Sequence, residues 1–399
     1  MLEGYVHPDF SEVARVLARQ IPGHRRRSAP GGAAVCVWHR GEVVVDCWGG
    51  TRDDAGRRWE PDTVALSYST TKGVTSTLLH VLADRGLVDY DAPVREYWPE
   101  FGEAGKRDLT VRQALCHEAG LYHIRHMIDD ARDMLDWDRM ARALAAATPR
   151  HAPGTAHGYH AFTYGWLIGE IVRRVAGKPF REVLEAELAR PLDLDGLYIG
   201  VPPHQMHRRA QLIEAPRRRA GSTDRIEWAA ERLTAGLRLV RVRYDPAEAI
   251  SALMPRGIEA LDLGSEEVAA ASLPAANGYF SARSLAKVYA VLAAGGRLNG
   301  TRLVSPETVE RLRRPQNHGV GRVVPYSMRW RLGYHRVNTI RARVRGGFGH
   351  SGYGGSGAWA DPERNLAVAM VLNSGTGTPF GDLRIIQVGS AAVRCADKR

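Results

Sequence analysis

The 399-residue sequence predicts an α/β + all-α fold: an antiparallel sheet built from both ends of the chain, flanked by helices, with a helical lobe inserted into it. Two observations predict it. Runs rich in β-branched and aromatic residues, bounded by turn residues, lie towards the two ends. Between them, from about 108 to 200, apolar residues recur at helical spacing, with strong helix formers in 131–147 and 166–190. The chain is long enough for two lobes around a substantial core. The reading assigns 1–85 and 276–399 to a discontinuous α/β lobe. It assigns 86–275 to a mainly helical lobe with an irregular insertion at about 202–275, punctuated by Arg and Pro. A site would sit in the cleft between lobes.

Phe10, Val13, Leu17 and Ile21 share one face of an amphipathic helix over 8–21. Ala33–Trp38 and Glu42–Trp48 read as a hairpin around His39-Arg40-Gly41. Residues 69–85 read as a helix, apolar at Val74, Leu78, Leu79 and Leu82 and stopped near Gly86. A helix over 283–294 ends at Gly295-Gly296, and the chain turns β-like after about 327. Ala358–Asp361 and Leu366–Asn373 flank a Pro-Glu-Arg-Asn turn, and a last helix covers about 379–394. No internal repeat or low-complexity tract is present.

Composition excludes several classes. Hydrophobic content of 44% and charged content of 25% are those of a globular protein, and no run of about 18 apolar residues points to a membrane span. The first twenty residues lack the basic start and apolar stretch of a secretory signal, so a cytoplasmic location is expected. The net charge of +11 comes from arginines spread along the chain, with short runs only at 25–27 and 217–219. No nucleic-acid-binding motif accompanies them, so a solvated surface is expected rather than a nucleic-acid partner. The four cysteines lack CxxC spacing. Cys36 and Cys47 could face each other across the hairpin, but reduced core residues are expected in the cytosol. His123/His126 and His157/His160 have HxxH spacing without an HExxH motif, so no metal is expected.

Ser69-Thr-Thr-Lys72 carries chemistry. Positions i and i+3 share a helix face, so the Lys72 amine can reach the Ser69 hydroxyl. The unpaired N–H groups of a first turn favour developing negative charge. A serine becomes nucleophilic when a base takes its proton, and a lysine held neutral can be that base. Ser284-Leu-Ala-Lys287 has the same spacing, but its lysine projects away from the apolar stripe of Leu285, Val288 and Leu292. Solvated side chains are expected there.

The stretch Leu66-Ser-Tyr-Ser-Thr-Thr-Lys-Gly-Val, continuing to Leu87-Val-Asp-Tyr-Asp-Ala-Pro-Val, resembles the β-lactamase-like serine hydrolases. These are the class C β-lactamases, D-Ala-D-Ala carboxypeptidases and family VIII carboxylesterases, with the β-lactamase/penicillin-binding-protein fold. Leu109-Thr-Val-Arg-Gln-Ala-Leu-Cys-His-Glu-Ala-Gly-Leu121 is similar to the family's Thr-x-Arg-x-Leu-Leu-x-His-x-Ser-Gly-Leu segment. Pro153-Gly-Thr-Ala-His-Gly-Tyr159-His-Ala161 resembles its Pro-Gly stretch leading to Tyr-x-Asn. Gly349-His350-Ser351-Gly352 corresponds to its Lys-Thr-Gly segment, which in many esterase members reads His-x-Gly.

The resemblance implies that Ser69 is the nucleophile and that Lys72 and Tyr159 share the proton transfers. The sequence does not choose between a neutral Lys72 and a Tyr159 phenolate as the base. His350, Ser351 and Gly352 would line the acyl pocket, and the N–H groups of Ser69 and Tyr353 would face the oxyanion. Tyr164 is assigned to packing. Two departures, Ala161 for asparagine and His350 for lysine, point away from amides and towards small, short-chain acyl esters. The expected enzyme is a serine carboxylesterase with an acyl-enzyme intermediate and no cofactor or metal, acting on a small-molecule ester. Oligomeric state is not read from the sequence. The competing readings are an acyltransferase or a β-lactam/D-amino-acid peptide amidase on the same fold, and a catalytically silent binding protein.

Overall fold

The computed structural model describes residues 2–21, 30–213, 244–375 and 382–399. The arginine runs at 25–27 and 217–219, and 214–243 of the irregular stretch, lie outside the described residues. The main sheet has seven strands: β1 (Leu2–Val6), β2 (Gly32–His39), β3 (Glu42–Gly50), β4 (His335–Arg336), β5 (Phe348–Ser351), β6 (Gly357–Asp361) and β7 (Leu366–Leu372). Their order is β1-β3-β2-β7-β6-β5-β4, antiparallel throughout. The two chain ends meet where β7 pairs with β2, from Leu366 opposite His39 to Leu372 opposite Ala33.

The β2–β3 hairpin turns on Arg40 (φ 53°) and Gly41 (φ 82°). Two consecutive left-handed residues match the right-handed strand twist, and glycine takes the second at no steric cost. Alternation then sorts the side chains. Val35, Val37, Val368 and Met370 face a layer formed by the helices Ser11–Gln20 and Arg384–Ala396. Ala34, Cys36, Ala367 and Ala369 face the other way, into the larger core that holds Leu285, Val288 and Leu292 of the helix Ala282–Ala293. The alanines on that face let helices approach closely.

The register corrects one idea from the sequence. Cys47 lies opposite Val35 and Cys36 opposite Asp46, so the two thiols point to opposite faces of the sheet. All four cysteines are free and buried.

The helix Thr70–Asp84 is buried from Thr70 through Leu82. Its polar side chains are therefore bonded internally: Thr75 to Pro274 O at 2.6 Å, Thr77 to Tyr334 OH at 2.7 Å, and His80 to Leu332 O and Tyr90 OH, both at 2.9 Å. The expected stop at Gly86 is a Schellman motif, with Gly86 N–H bonded to Ala83 O and Leu87 N–H to Leu82 O, both at 3.0 Å. Gly73 lets this helix press on its neighbours, because a Cβ there would run into the Tyr289 hydroxyl.

The middle of the chain is helical but more broken than its pattern suggests. A 3-10 turn, Ala131–Leu135, precedes Trp137–Ala146, which starts under an Asp136 side chain accepting the Arg139 N–H at 2.9 Å. The run over 166–190 starts earlier, at Thr163, and divides. Gly177 ends Thr163–Ala176 at φ 63°, and Pro179 precedes Phe180–Leu184. A small second sheet, Ala65–Leu66 with Gly278–Phe280 and Leu197–Ile199, brings Ala275 beside the start of the central helix.

Burial raises the pKa of all four thiols. We expect a thiol reagent such as Ellman's to label none of them in the folded protein and all four after unfolding. A Cys36–Cys47 disulfide found by mass spectrometry would contradict this register.

Candidate active site

Ser69 stands at the N-cap of the central helix but does not cap it: its side chain makes no hydrogen bond to the first-turn amides. N-cap serines ordinarily spend their oxygen that way. Here Oγ instead meets the Tyr159 hydroxyl at 2.7 Å and Lys72 Nζ at 3.1 Å. The residue before it, Tyr68, has φ 45°, a strained conformation that presents the serine at the turn into the helix. Ser69 is partly exposed, whereas the next thirteen residues are buried.

Lys72 is fully buried. Besides Ser69 Oγ, its Nζ donates to Ala161 O at 2.6 Å and Ala275 O at 2.9 Å. No carboxylate pairs with it among the described residues, and burial alone drives its pKa well below the ordinary lysine value. The Tyr159 ring lies beside it, 4.9 Å from Nζ to the ring centroid.

Tyr159 sits on an irregular segment backed by aromatic rings. Trp330 lies nearly parallel to it at 5.6 Å, and His117 meets it edge-on at 5.1 Å. Burial raises its pKa, and its hydroxyl donates to Ser69 Oγ.

Strand β5, next to the short edge strand β4, closes the site. Gly352 follows β5, and a Cβ there would run into the carbonyl of Ser67, so only glycine lets the end of this strand meet the segment that carries Ser69. The next turn contains Tyr353, whose ring packs against Tyr68 at 5.2 Å. Arg384 holds that turn: its guanidinium donates to Gly354 O at 2.5 Å and Ser374 O at 2.7 Å, and pairs with Asp382 at 2.6 Å. His350 is buried, donating from Nδ1 to Ser351 O at 2.9 Å. Burial first, then the neighbouring His335 and Lys72, hold its pKa well down, so this imidazole is neutral. Ser351 is exposed, and its N–H donates to His335 Nε2 at 2.9 Å.

The structure thus brings Ser69, Lys72 and Tyr159 into one hydrogen-bonded cluster, with His350, Gly352 and Tyr353 around it. Tyr164 lies apart from this cluster. It is buried and bonded to Ser76 Oγ at 2.6 Å. Ser284 corrects an expectation: it is 4% exposed rather than solvated, its N–H held by Ser281 Oγ at 3.2 Å as the helix starts. Sequence reasoning missed the two carbonyls on Lys72, Trp330, Arg384 and the role of His117. Main-chain carbonyls leave no residue-type signal, and His117 was visible only inside the Leu-Cys-His-Glu-Ala-Gly-Leu stretch. Among the described residues, no group of three His, Cys, Asp or Glu side chains could hold a metal ion, and no helix is long and apolar enough to cross a membrane.

The sequence profile of the beta-lactamase family matches residues 17–393. The esterase/beta-lactamase LipL of Mycobacterium tuberculosis is 40% identical over 375 residues, covering 93% of this chain and 82% of its own. A family VIII carboxylesterase of known crystal structure superposes with a TM-score of 0.84 at 34% identity, covering 99% of this chain and 100% of that one. A penicillin-binding protein homologue from Caulobacter crescentus superposes at 0.83 with 32% identity and the same coverage.

The buried histidines make the fold acid-sensitive. Burial lowers the pKa of His80 and His335 to about 4 and of His123 and His160 to about 3, and puts His117 and His350 well below the usual value. Their unfolded value is about 6.5. Below that pH the unfolded chain binds protons that the folded chain refuses, so this stability is complete above 6.5 and falls with pH. Each histidine costs about 1.4 kcal/mol per pH unit in that window, against a total stability of about 5–15 kcal/mol. The urea midpoint should drop steeply between pH 6.5 and 5 and change little from 7 to 8. A midpoint that is flat from pH 7 to 5 would contradict the neutral, buried assignment.

Proposed function

The chain belongs to the beta-lactamase family, and from that premise we propose that it is a serine carboxylesterase hydrolysing small, short-chain acyl esters through an acyl-enzyme. The observation that carries the mechanism is the Ser69–Lys72–Tyr159 cluster with its partners. A neutral amine has two N–H groups and one lone pair. On Lys72 the carbonyls of Ala161 and Ala275 take both N–H groups, leaving the lone pair for the Ser69 hydroxyl. Tyr159 donates to the same Ser69 oxygen. Every donor then meets an acceptor, and burial, which lowers the Lys72 pKa and raises that of Tyr159, supports neutral Lys72 as the base and a protonated Tyr159 over a phenolate.

In this reading the Ser69 proton moves to Lys72 as Oγ bonds to the ester carbonyl carbon. The negative charge on the carbonyl oxygen is held by the N–H groups of Ser69 and Tyr353. Collapse breaks the carbon–alkoxy bond, and the leaving oxygen takes the proton from the Lys72 ammonium, with the Tyr159 hydroxyl bridging. Water then attacks the acyl-enzyme and gives its proton to Lys72. Release of the acid returns that proton to Ser69, so ester and water become acid and alcohol. The step needs no cofactor.

The substrate class rests on what the site lacks. Ala161 offers a methyl group, and its carbonyl is already bonded to Lys72. His350 is neutral, so it presents no charge to the carboxylate of a β-lactam or peptide. β-Lactam hydrolysis as a slower second activity is favoured by the mycobacterial relative, whose name carries both activities. The four buried, free cysteines support a reducing, cytoplasmic location.

Ser69→Ala should abolish esterase activity and fluorophosphonate labelling, while Ser284→Ala stays within a few-fold of wild type. Lys72→Ala and Tyr159→Phe should each cut kcat about 10²–10⁴-fold, and Tyr164→Phe should do little. A probe adduct mapped by mass spectrometry to Ser284, Ser351 or Ser356 would move the nucleophile elsewhere.

By kcat/KM, p-nitrophenyl acetate and butyrate should be far better substrates than nitrocefin or a D-Ala-D-Ala peptide. The reverse order would refute the ester reading.

A further inference from the structure

Tyr159 must hold its hydroxyl on Ser69, yet it sits on an irregular segment with no helix or sheet to fix it. The backbone on both sides of it is pinned to one residue, His117. Gly158 N–H donates to the carbonyl of His117 at 3.0 Å, and His160 N–H donates to its ring Nδ1 at 3.1 Å. The His117 ring also packs against the Tyr159 ring at 5.1 Å and against Trp330 at 4.1 Å.

Local structure explains how a histidine comes to be there. The helix Val111–Leu115 ends at Cys116, and His117 follows at φ 61°, in the left-handed conformation that usually selects glycine at a helix C-terminus. A histidine in that conformation turns its ring inward, where it is fully buried. Gly158 fits because a Cβ there would run into the Tyr122 ring.

The hydrogen bonds also set the tautomers. His160 Nε2 accepts the Leu121 N–H at 3.0 Å, so His160 carries its proton on Nδ1. That nitrogen faces His117 Nδ1 at 3.3 Å, which already accepts the His160 N–H, so the proton of His117 sits on Nε2. Two neutral imidazoles thus fasten the segment 117–121 to the segment 158–160.

We infer that His117 is the positioning residue for Tyr159, acting through its Nδ1 and carbonyl rather than on the substrate. The inference rests on the reading of Tyr159 as the proton donor. A misplacement of about 1 Å at such a group can cost on the order of 10²-fold in rate. The replacement has two separable requirements: an acceptor at the Nδ1 position, and tolerance of a positive φ. Asparagine meets both, phenylalanine keeps only the ring, and glycine keeps only the backbone conformation.

The test measures kcat and KM on p-nitrophenyl butyrate for His117→Phe, His117→Asn and His117→Gly, in the wild type and in Tyr159→Phe, with melting temperatures alongside. We expect His117→Phe and His117→Gly to lower kcat about 10–100-fold with KM nearly unchanged, and His117→Asn to recover most of the loss. In the Tyr159→Phe background the same changes should lower kcat by less than about threefold, because the group they position is gone. If His117→Phe does not fold, the glycine and asparagine variants carry the same comparison. Equal losses in both backgrounds, or no difference between asparagine and glycine, overturn the positioning role and leave Tyr159 in place. A Tyr159→Phe enzyme with wild-type kcat overturns the proton-donor reading and this inference together.

Discussion

A buried amine with no counter-ion among the described residues sits at the centre of this protein, and much of the surrounding structure exists to make that tolerable. Burying a charged ammonium without a partner costs several kcal/mol, so burial lowers the pKa of this group. Its N–H groups still need acceptors, and two come from far along the chain, at Ala161 and Ala275. The loop bearing Tyr159 and the small sheet ending at Gly278 must both be in place before Lys72 has a satisfied environment. Site and fold are therefore coupled: the surroundings that lower the Lys72 pKa exist only in the assembled molecule.

The same coupling shows in what surrounds the cluster. Glycines 73 and 352 remove side chains where the central helix and the end of β5 come too close to their neighbours for a Cβ. Arg384, at the start of the last helix, ties the turn after Tyr353 to the end of β7. The turn bearing Tyr353 is thus held by Arg384, while the segment bearing Tyr159 is held by His117. Ser69, strained at Tyr68 and unspent as a cap, stands where the two meet.

The sequence carried the frame well where a local rule was enough. Arg40-Gly41 marked the hairpin, Gly86 ended the central helix, and Gly295-Gly296 ended another. The spacing of Ser69 and Lys72 placed their side chains together before any coordinates. It carried less where a tertiary relation decides. Cys36 and Cys47 looked like partners across a turn, yet a one-residue offset in register sends them to opposite faces. Ser284 looked solvated beside an apolar stripe, but its helix is covered on that side too. Residue types also say nothing of main-chain acceptors, so the two carbonyls that accept from Lys72 were invisible. His117 was in plain view within a motif, but its task depends on a left-handed backbone that only a glycine or asparagine would have advertised.

The pairing of β2 with β7 has a consequence for how the molecule is made. Strand β2 acquires its second neighbour from a segment more than three hundred residues later, and Gly32 N–H is bonded to Asn373 Oδ1 across 341 positions. During synthesis, β2 and its hairpin leave the ribosome long before that partner exists. For most of translation they present an unpaired, apolar edge of the kind that recruits other strands. Contacts this distant in sequence close slowly. Chaperone demand in the cell, and aggregation during refolding from denaturant, should therefore centre on the nascent hairpin. Truncations that remove 366–372 should be insoluble even though every residue of the catalytic cluster remains.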